Sequence, residues 1–179
     1  MTDSQKEDLI LSGSNPSLEK QKLNIILDLN GLLLHRYFTK SSNHQNIRCG
    51  NGWIALRSGC IEFLTTLVEK YNVGIWSTAL KQNAKPIISA LQSLSNTTLS
   101  FFFVWYQEQC EVYSNGRIYR LDKLGVEAMF KPLSTVGSVF KCDARRTLLI
   151  YDSPYKGSIN PQENCIYPPT FNPLKNDDQ

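Results

Sequence analysis

The stretch LNIILDLNG, residues 23–31, contains the first predicted strand of this chain. Its first five residues are apolar apart from Asn24, and a short apolar run of this kind predicts a strand that is buried on both faces of a sheet. Asp28 follows the last residue of the run directly. We therefore predict a buried strand that ends in a loop carrying a carboxylate.

Helical patterns and further apolar runs alternate after this strand. Apolar residues recur at helical spacing over residues 61–71 and again over residues 84–94, where Pro86 is tolerable if it lies in the first turn of the helix. The other predicted strands are short apolar runs: Val73–Trp76, Phe101–Trp105, Thr147–Tyr151 and Cys165–Tyr167. This alternation predicts an α/β, Rossmann-like fold with a parallel central sheet and helices on both faces.

Two segments interrupt the alternation and predict inserted β-hairpins. Gly50-Asn51-Gly52 precedes the strand-like residues 53–56, and Asn115-Gly116 separates two short alternating runs. Asn-Gly favours a hairpin because it accepts the positive φ angles of a two-residue turn. The termini are polar, so we expect flexible tails at residues 1–21 and 172–179 around one domain at residues 22–171.

Composition argues against several classes of protein. The 179 residues carry a net charge of +3 and no basic run longer than two residues, which gives no argument for nucleic-acid binding. The longest apolar run has six residues, whereas a membrane-spanning helix needs about 20. Acidic residues without arginine in the first twenty positions argue against a secretory signal or a mitochondrial presequence. Five widely spaced cysteines are typical of reduced thiols in an intracellular protein.

Polar side chains follow three of the predicted strands at the point where each strand ends. These residues are Asp28, then Ser77 and Thr78, and finally Asp152 and Ser153. Because the carboxyl ends of parallel strands meet at one edge of a sheet, we expect these side chains to share a crevice. Carboxylate oxygens suit Mg²⁺. Either aspartate alone has an alternative role in capping its loop, and it is their joint placement that favours a site.

Four short motifs in chain order resemble those of the haloacid dehalogenase superfamily: Asp28–Gly31, Trp76–Ala79, Lys131–Ser134 and Tyr151–Pro154. The similarity is strongest to the branch of RNA polymerase II carboxyl-terminal-domain phosphatases and small phosphatases, whose shared unit is the FCP-type homology or NIF domain. The segment LRSGCIEFL at residues 56–64 and the run Phe103–Trp105 add to the resemblance. It extends over residues 22–171.

This resemblance implies a phosphatase mechanism through an aspartyl-phosphate intermediate. Asp28 would be the nucleophile, Ser77 would hydrogen-bond a phosphoryl oxygen, and Lys131 would neutralise the nucleophile and the phosphate. A Mg²⁺ cofactor would be held by Asp28, Asp152 and the backbone carbonyl of Asn30. The implied substrates are phosphoserine or phosphothreonine proteins, in particular Ser/Pro-rich peptides.

Three positions depart from the motifs of that family. The first motif ordinarily carries a second aspartate, which protonates the leaving alkoxide and then activates water. This chain has Asn30 there, and Leu32 stands where the family has Thr or Val. An amide has no ionisable proton, and the loss of a general acid/base costs about 10²–10⁴-fold in rate. Tyr151 replaces an acidic residue before Asp152, and we interpret it as an aromatic residue that covers the core.

Two functional hypotheses remain open from the sequence. The first is a Mg²⁺-dependent protein phosphatase of weak or absent activity, which the retained motif residues favour. The second is a non-catalytic phosphopeptide- or protein-binding module, which Asn30, Leu32 and Tyr151 favour. A relative of the mitochondrial inner-membrane import translocase receptor is a narrower form of it. The expected partner is a phosphoprotein or a Ser/Pro-rich peptide, without direct nucleic-acid contact or a membrane span. The expected location is the nucleus or cytoplasm rather than the mitochondrion.

Overall fold

A computed structural model describes residues 22–40, 46–112 and 128–173. The strands of these residues are β1 (Asn24–Leu27), β2 (Leu34–Tyr37), β3 (Ile47–Cys49), β4 (Gly52–Leu56), β5 (Asn72–Trp76), β6 (Phe103–Trp105), β7 (Thr147–Ile150) and β8 (Cys165–Ile166). Their α-helices are α1 (Cys60–Lys70), α2 (Lys81–Leu94) and α3 (Leu133–Phe140), and none of the three is long and apolar enough to cross a membrane. The predicted N-terminal tail, most of the predicted C-terminal tail and the hairpin predicted at Asn115-Gly116 lie outside the described residues.

The central sheet is parallel and has the strand order β6-β5-β1-β7-β8. β1 lies in the middle, and Leu27 at its C-terminal end lies beside Ile75 of β5 and Ile150 of β7. The residues that follow these three strands therefore share one edge of the sheet. This arrangement confirms the fold class that the sequence predicts.

β1 separates two hydrophobic clusters, because its side chains alternate between the two faces of the sheet. Ile25 and Leu27 pack in a first cluster that includes the buried residues of α1 and α2. Ile26 packs in a second cluster that includes Leu133 and Val136 of α3. Helices thus cover both faces of the sheet, as predicted.

A second, antiparallel sheet has the strand order β2-β4-β3 and contains the first predicted hairpin. Its turn, Gly50-Asn51, joins the paired residues Cys49 and Gly52. The φ angle of Gly50 is +56°, a left-handed conformation that favours glycine. The apolar pattern does not predict β2, because His35 and Arg36 occupy its middle positions.

Helix α2 does not meet the condition under which its proline is readily tolerated. The helix begins at Lys81, and the carbonyl of Leu80 accepts the backbone N–H of Ala84. Pro86 therefore lies in the second turn rather than in the first. Because proline has no N–H to offer the carbonyl of Gln82, the helix lacks one backbone hydrogen bond there.

Candidate active site

The loop that follows β1 places a buried carboxylate at the centre of the sheet edge. Asp28 is 1% exposed, its backbone N–H donates to the carbonyl of Ile150 (3.0 Å), and its Oδ1 accepts the backbone N–H of Leu29 (2.9 Å). Gly31 has a φ of +84°, and a Cβ atom at this position would overlap the carboxylate of Asp152. Glycine therefore allows the β1 loop to approach the β7 loop closely.

Two lysine ammonium groups bind the Asp28 carboxylate. Lys131 Nζ lies 3.0 Å from Asp28 Oδ1, and Lys156 Nζ lies 2.5 Å from Asp28 Oδ2. Lys156 Nζ also lies 3.2 Å from Asp152 Oδ1, so that one ammonium bridges two carboxylates. These four side chains, which we call the lysine–aspartate cluster, are all buried to more than nine-tenths. The structure thus brings together Asp28 and Asp152, which the sequence predicts to share a crevice, and Lys131, which the family resemblance implies. It adds Lys156 to them.

The cluster keeps its central groups charged. Burial alone would raise the pKa of Asp28, but the ammonium groups of Lys131 and Lys156 lower it to about 2. Burial would lower the pKa of Lys156, but Asp28 and Asp152 together raise it above its usual range. For Lys131, burial outweighs the attraction of Asp28, and its pKa lies below its usual value. Asp28 is therefore ionised and Lys156 protonated at neutral pH.

Backbone contacts fix the two lysines next to each other. The N–H of Lys131 donates to the carbonyl of Lys156 (2.8 Å). The side chain of Asn160 spans the same segment, since its Nδ2 donates to the carbonyl of Lys131 (2.9 Å) and its Oδ1 accepts the N–H of Leu133 (2.8 Å). Lys156 lies in the 3₁₀ helix Pro154–Gly157, which follows β7. The positions of both ammonium groups are thus supported by the backbone around them.

The hydroxyl residues predicted at the strand ends have different neighbours. Ser77 is buried directly after β5, where its Oγ accepts the backbone N–H of Ala79 (3.1 Å), and Thr78 beside it is half-buried. Ser153 Oγ donates to Asp152 Oδ1 (2.9 Å) and so supports that carboxylate directly. The register of β1 and β5 places Ser77 at the strand end adjacent to the Asp28 loop.

Arg57, which follows β4, ties the β1 loop to the C-terminal segment. Its guanidinium donates to the carbonyls of Leu32 (2.7 Å), Gly31 (3.2 Å) and Pro169 (2.7 Å). The backbone N–H of Phe171 donates to the same Gly31 carbonyl (2.7 Å), and the guanidinium lies over the Phe171 ring. The loop that carries Asp28 is therefore held by side-chain and backbone contacts on two segments.

The three positions that depart from the family motifs have distinct environments. Asn30 is exposed, and its Oδ1 accepts the backbone N–H of Arg36 (2.8 Å). Leu32 is buried in the first hydrophobic cluster. Tyr151 is fully buried in the second cluster, with its ring edge-on to that of Tyr167 (4.9 Å between centroids). This burial confirms the interpretation of Tyr151 as an aromatic residue that covers the core.

Lys156 is the residue of this site that sequence reasoning misses. Its ammonium contacts Asp28 across a separation of 128 positions in the chain, and no periodic pattern predicts such a contact. The one signal in the sequence is its spacing of four residues from Asp152, in the segment that follows a predicted strand.

The arrangement does not fit the predicted Mg²⁺ site. One carboxylate oxygen of Asp28 and one of Asp152 both bind the ammonium of Lys156, and these are the side chains predicted to hold the ion beside the carbonyl of Asn30. We therefore assign no chemical step of this site to a metal.

The site is thus a buried aspartate–lysine cluster at the carboxyl edge of a parallel α/β sheet. The family model described as NLI interacting factor-like phosphatase matches residues 23–179. The chain belongs to this family. A comparison with curated proteins finds no match.

Two solved structures of RNA polymerase II CTD phosphatases share the fold. One is described as Fcp1, an essential RNA polymerase II CTD phosphatase, and matches with a TM-score of 0.60 and 18% identity over 95% of this chain and 45% of that chain. The other is fission yeast Fcp1-R271A bound to beryllium fluoride, with a TM-score of 0.54 and 19% identity over 92% and 44%. This chain therefore spans less than half the length of either.

Proposed function

We propose that this domain binds phosphoserine or phosphothreonine groups of other proteins in the crevice around Asp28 and hydrolyses them slowly. The observation that carries the proposal is the combination of an intact lysine–aspartate cluster with an asparagine at position 30. The cluster supplies the groups that bind phosphate, whereas Asn30 cannot supply the proton that fast hydrolysis needs.

Buried cations support the binding of phosphate. Lys131 is fully buried, and beyond the carboxylate of Asp28 its ammonium meets no hydrogen-bond acceptor among the described residues. Since an ammonium carries three N–H donors, donors remain for a phosphoryl oxygen. The hydroxyl of Ser77, at the adjacent strand end, offers a further hydrogen-bond donor. Such donors act more strongly on an anion in a dry crevice than in water.

The state of Asp28 supports slow chemistry. Its pKa of about 2 keeps it ionised at neutral pH, as a nucleophile must be. Both of its oxygens, however, are bound by ammonium groups, Oδ1 by Lys131 and Oδ2 by Lys156. For one of them to form a bond to phosphorus, that oxygen must loosen its ion pair, which adds to the barrier.

The leaving group presents the second obstacle. When the bond between phosphorus and a serine oxygen breaks, the electron pair leaves on an alkoxide, which needs a proton. Asn30 has no ionisable proton, and it also cannot activate the water that would hydrolyse an aspartyl-phosphate on Asp28. Its Oδ1 instead accepts the backbone N–H of Arg36 (2.8 Å), a role that an amide fills without titrating.

A non-catalytic phosphopeptide-binding module is the second candidate on the same fold. The ion pairs of Asp28 favour it, because Lys131 and Lys156 attract a phosphate whether or not the carboxylate attacks. The two candidates differ in one respect: only the phosphatase forms a covalent bond between Asp28 and phosphorus.

Phosphate release by the parent, Asn30→Asp and Asn51→Asp tests the proposal, with an aryl phosphate and a Ser-Pro phosphopeptide as substrates, each with and without Mg²⁺. Asn30→Asp keeps the acceptor for the Arg36 N–H, and Asn51→Asp adds the same charge in the exposed hairpin turn as a control. We expect only Asn30→Asp to raise phosphopeptide hydrolysis, by about 10²-fold or more, with a smaller effect on the aryl phosphate, whose phenolate leaves without a proton.

Other outcomes decide between the candidates. If all three proteins are folded, bind the phosphopeptide and release no phosphate, the non-catalytic module is the function. If the parent already hydrolyses the phosphopeptide at about 1–10³ s⁻¹, another group supplies the proton and the role given to Asn30 is wrong.

A further inference from the structure

Lys156 lies in the gap between two carboxylates where the family resemblance implies a divalent cation. Its Nζ is 2.5 Å from Asp28 Oδ2 and 3.2 Å from Asp152 Oδ1. We propose that the Lys156 ammonium is the built-in cation of this crevice: it takes the place of the divalent ion and lets the crevice bind a phosphate monoester without metal. The metal-free binding of phosphate, which we call the phosphate half of this inference, rests on the proposed function. The replacement of the divalent ion by Lys156, which we call the cation half, rests on the lysine–aspartate cluster alone.

The space between the carboxylates leaves room for one cation. Because a single nitrogen lies 2.5 Å from one oxygen and 3.2 Å from the other, the two oxygens are no more than about 6 Å apart. Asp28 and Asp152 would have to supply these same oxygens to hold a divalent ion, in the space that the ammonium fills. The metal and Lys156 therefore compete for the same oxygens, and metal binding requires the lysine to leave a buried ion pair.

The segment that carries Lys156 is fixed by its neighbours. Its backbone N–H donates to the carbonyl of Ser153 (3.0 Å), and its carbonyl accepts the N–H of Lys131 (2.8 Å). The next residue, Gly157, packs so closely on the buried Tyr151 that any Cβ would overlap the phenol hydroxyl. The residue that replaces an acid of the family motif thus also packs against the segment that supplies the ammonium.

Charge balance favours an ammonium over a divalent ion. Because Asn30 and Tyr151 stand where the family has acidic residues, the charges of the cluster are two carboxylates and two ammonium groups, which cancel. A divalent ion added to this set would leave two positive charges in excess at a buried site, where desolvation and repulsion are both costly. The Lys156 ammonium uses two of its three N–H donors on Asp28 and Asp152, so one remains for a phosphoryl oxygen.

Titration with Mn²⁺, followed by its electron paramagnetic resonance signal, tests the cation half. The proteins are the parent, Lys156→Met and, as a matched control, Lys85→Met, which removes an exposed lysine of α2. We expect the parent and the control to bind Mn²⁺ weakly. We expect Lys156→Met to bind it at least about tenfold more tightly, because this variant lacks the positive charge that lies between the carboxylates of Asp28 and Asp152. Equal affinities in all three would overturn the proposal. If Lys156→Met does not fold, the titration of the parent tests the proposal alone, because saturation of the parent at micromolar Mn²⁺ would contradict a built-in cation.

Phosphopeptide binding in EDTA and in Mg²⁺ tests the phosphate half. The dissociation constant of the parent for a Ser-Pro phosphopeptide is measured by fluorescence anisotropy, and we expect the same value in both buffers. Binding that is lost in EDTA would overturn the metal-free crevice and leave the proposed function standing. Absence of binding in both buffers would overturn the proposed function, and the Mn²⁺ titration would still decide the role of Lys156.

Discussion

Replacing Asp28 by asparagine tests how strongly the lysine–aspartate cluster stabilises the folded domain. The variant keeps the side-chain shape and an acceptor for the Leu29 N–H, but it removes the charge between two buried ammonium groups. Lys156 retains Asp152 as a partner, whereas Lys131 meets no other hydrogen-bond acceptor among the described residues. Removing one partner of a buried ion pair costs about 3–5 kcal/mol. For a domain of this size, Tm should fall by on the order of 10 °C.

The pH dependence separates this charge effect from an effect on packing. The difference between the ordinary pKa of 3.8 and the folded value of about 2 corresponds to about 2 kcal/mol of stability. Because folding lowers the pKa of Asp28, this contribution is fully present above about pH 4 and is lost as the pH falls towards 2. The gap in unfolding free energy between the parent and Asp28→Asn should therefore narrow over that window.

Urea denaturation of the parent and Asp28→Asn from about pH 2 to pH 7 measures the stability difference between them at neutral pH and its change with pH. Asp143→Asn is the matched control, because Asp143 pairs with Arg145 on the exposed surface, where an ion pair contributes little. If Asp28→Asn is as stable as the parent at neutral pH, or if the gap between them does not change with pH, the ion pairs of Asp28 do not stabilise the free domain and the reasoning is wrong.

Three further predictions follow from individual contacts. Gly31→Ala should lower the free energy of unfolding by at least about 1–2 kcal/mol in a urea series, because alanine is strained at a φ of +84° and its Cβ would overlap Asp152; unchanged stability would mean that the loop has another conformation. Arg57→Ala should speed hydrogen exchange of the Phe171 N–H, which donates to a carbonyl that Arg57 also binds, and an unchanged rate would show that the guanidinium does not join the two segments. Cys60 should react slowly with a thiol reagent at mildly alkaline pH, since burial raises its pKa to about 12, and rapid labelling would contradict that burial.

The central strands can be predicted from the sequence, whereas α3 cannot. Strands covered on both faces require apolar runs, and those runs are visible in the chain. Helix α3 contains Gly137 and the β-branched residues Thr135, Val136 and Val139, all of low helix propensity. It nevertheless forms because Leu133 and Val136 pack into the second hydrophobic cluster. The local sequence pattern does not predict such contacts, because they join residues from distant parts of the chain.

Only some residues of the candidate site can likewise be predicted from the sequence. Asp28, Ser77 and Asp152 can be located because each follows a predicted strand, and parallel strands bring those positions to one edge. Lys131 follows no strand, and only the family resemblance indicates it. Lys156 is found by neither route, because its partner Asp28 is 128 positions away and its role depends on how the segment after β7 folds back.

A comparison of two affinities of the parent domain, for a Ser-Pro phosphopeptide and for its unphosphorylated copy, tests the claim that the crevice around Asp28 binds phosphate. Calorimetric titration with two peptides that differ only in the phosphate isolates what the crevice contributes. We expect the phosphopeptide to bind at least about tenfold more tightly, because hydrogen bonds to charged groups contribute about 1.5–3 kcal/mol. Equal affinities would contradict the claim, since the phosphate would then not bind the buried ammonium groups of Lys131 and Lys156.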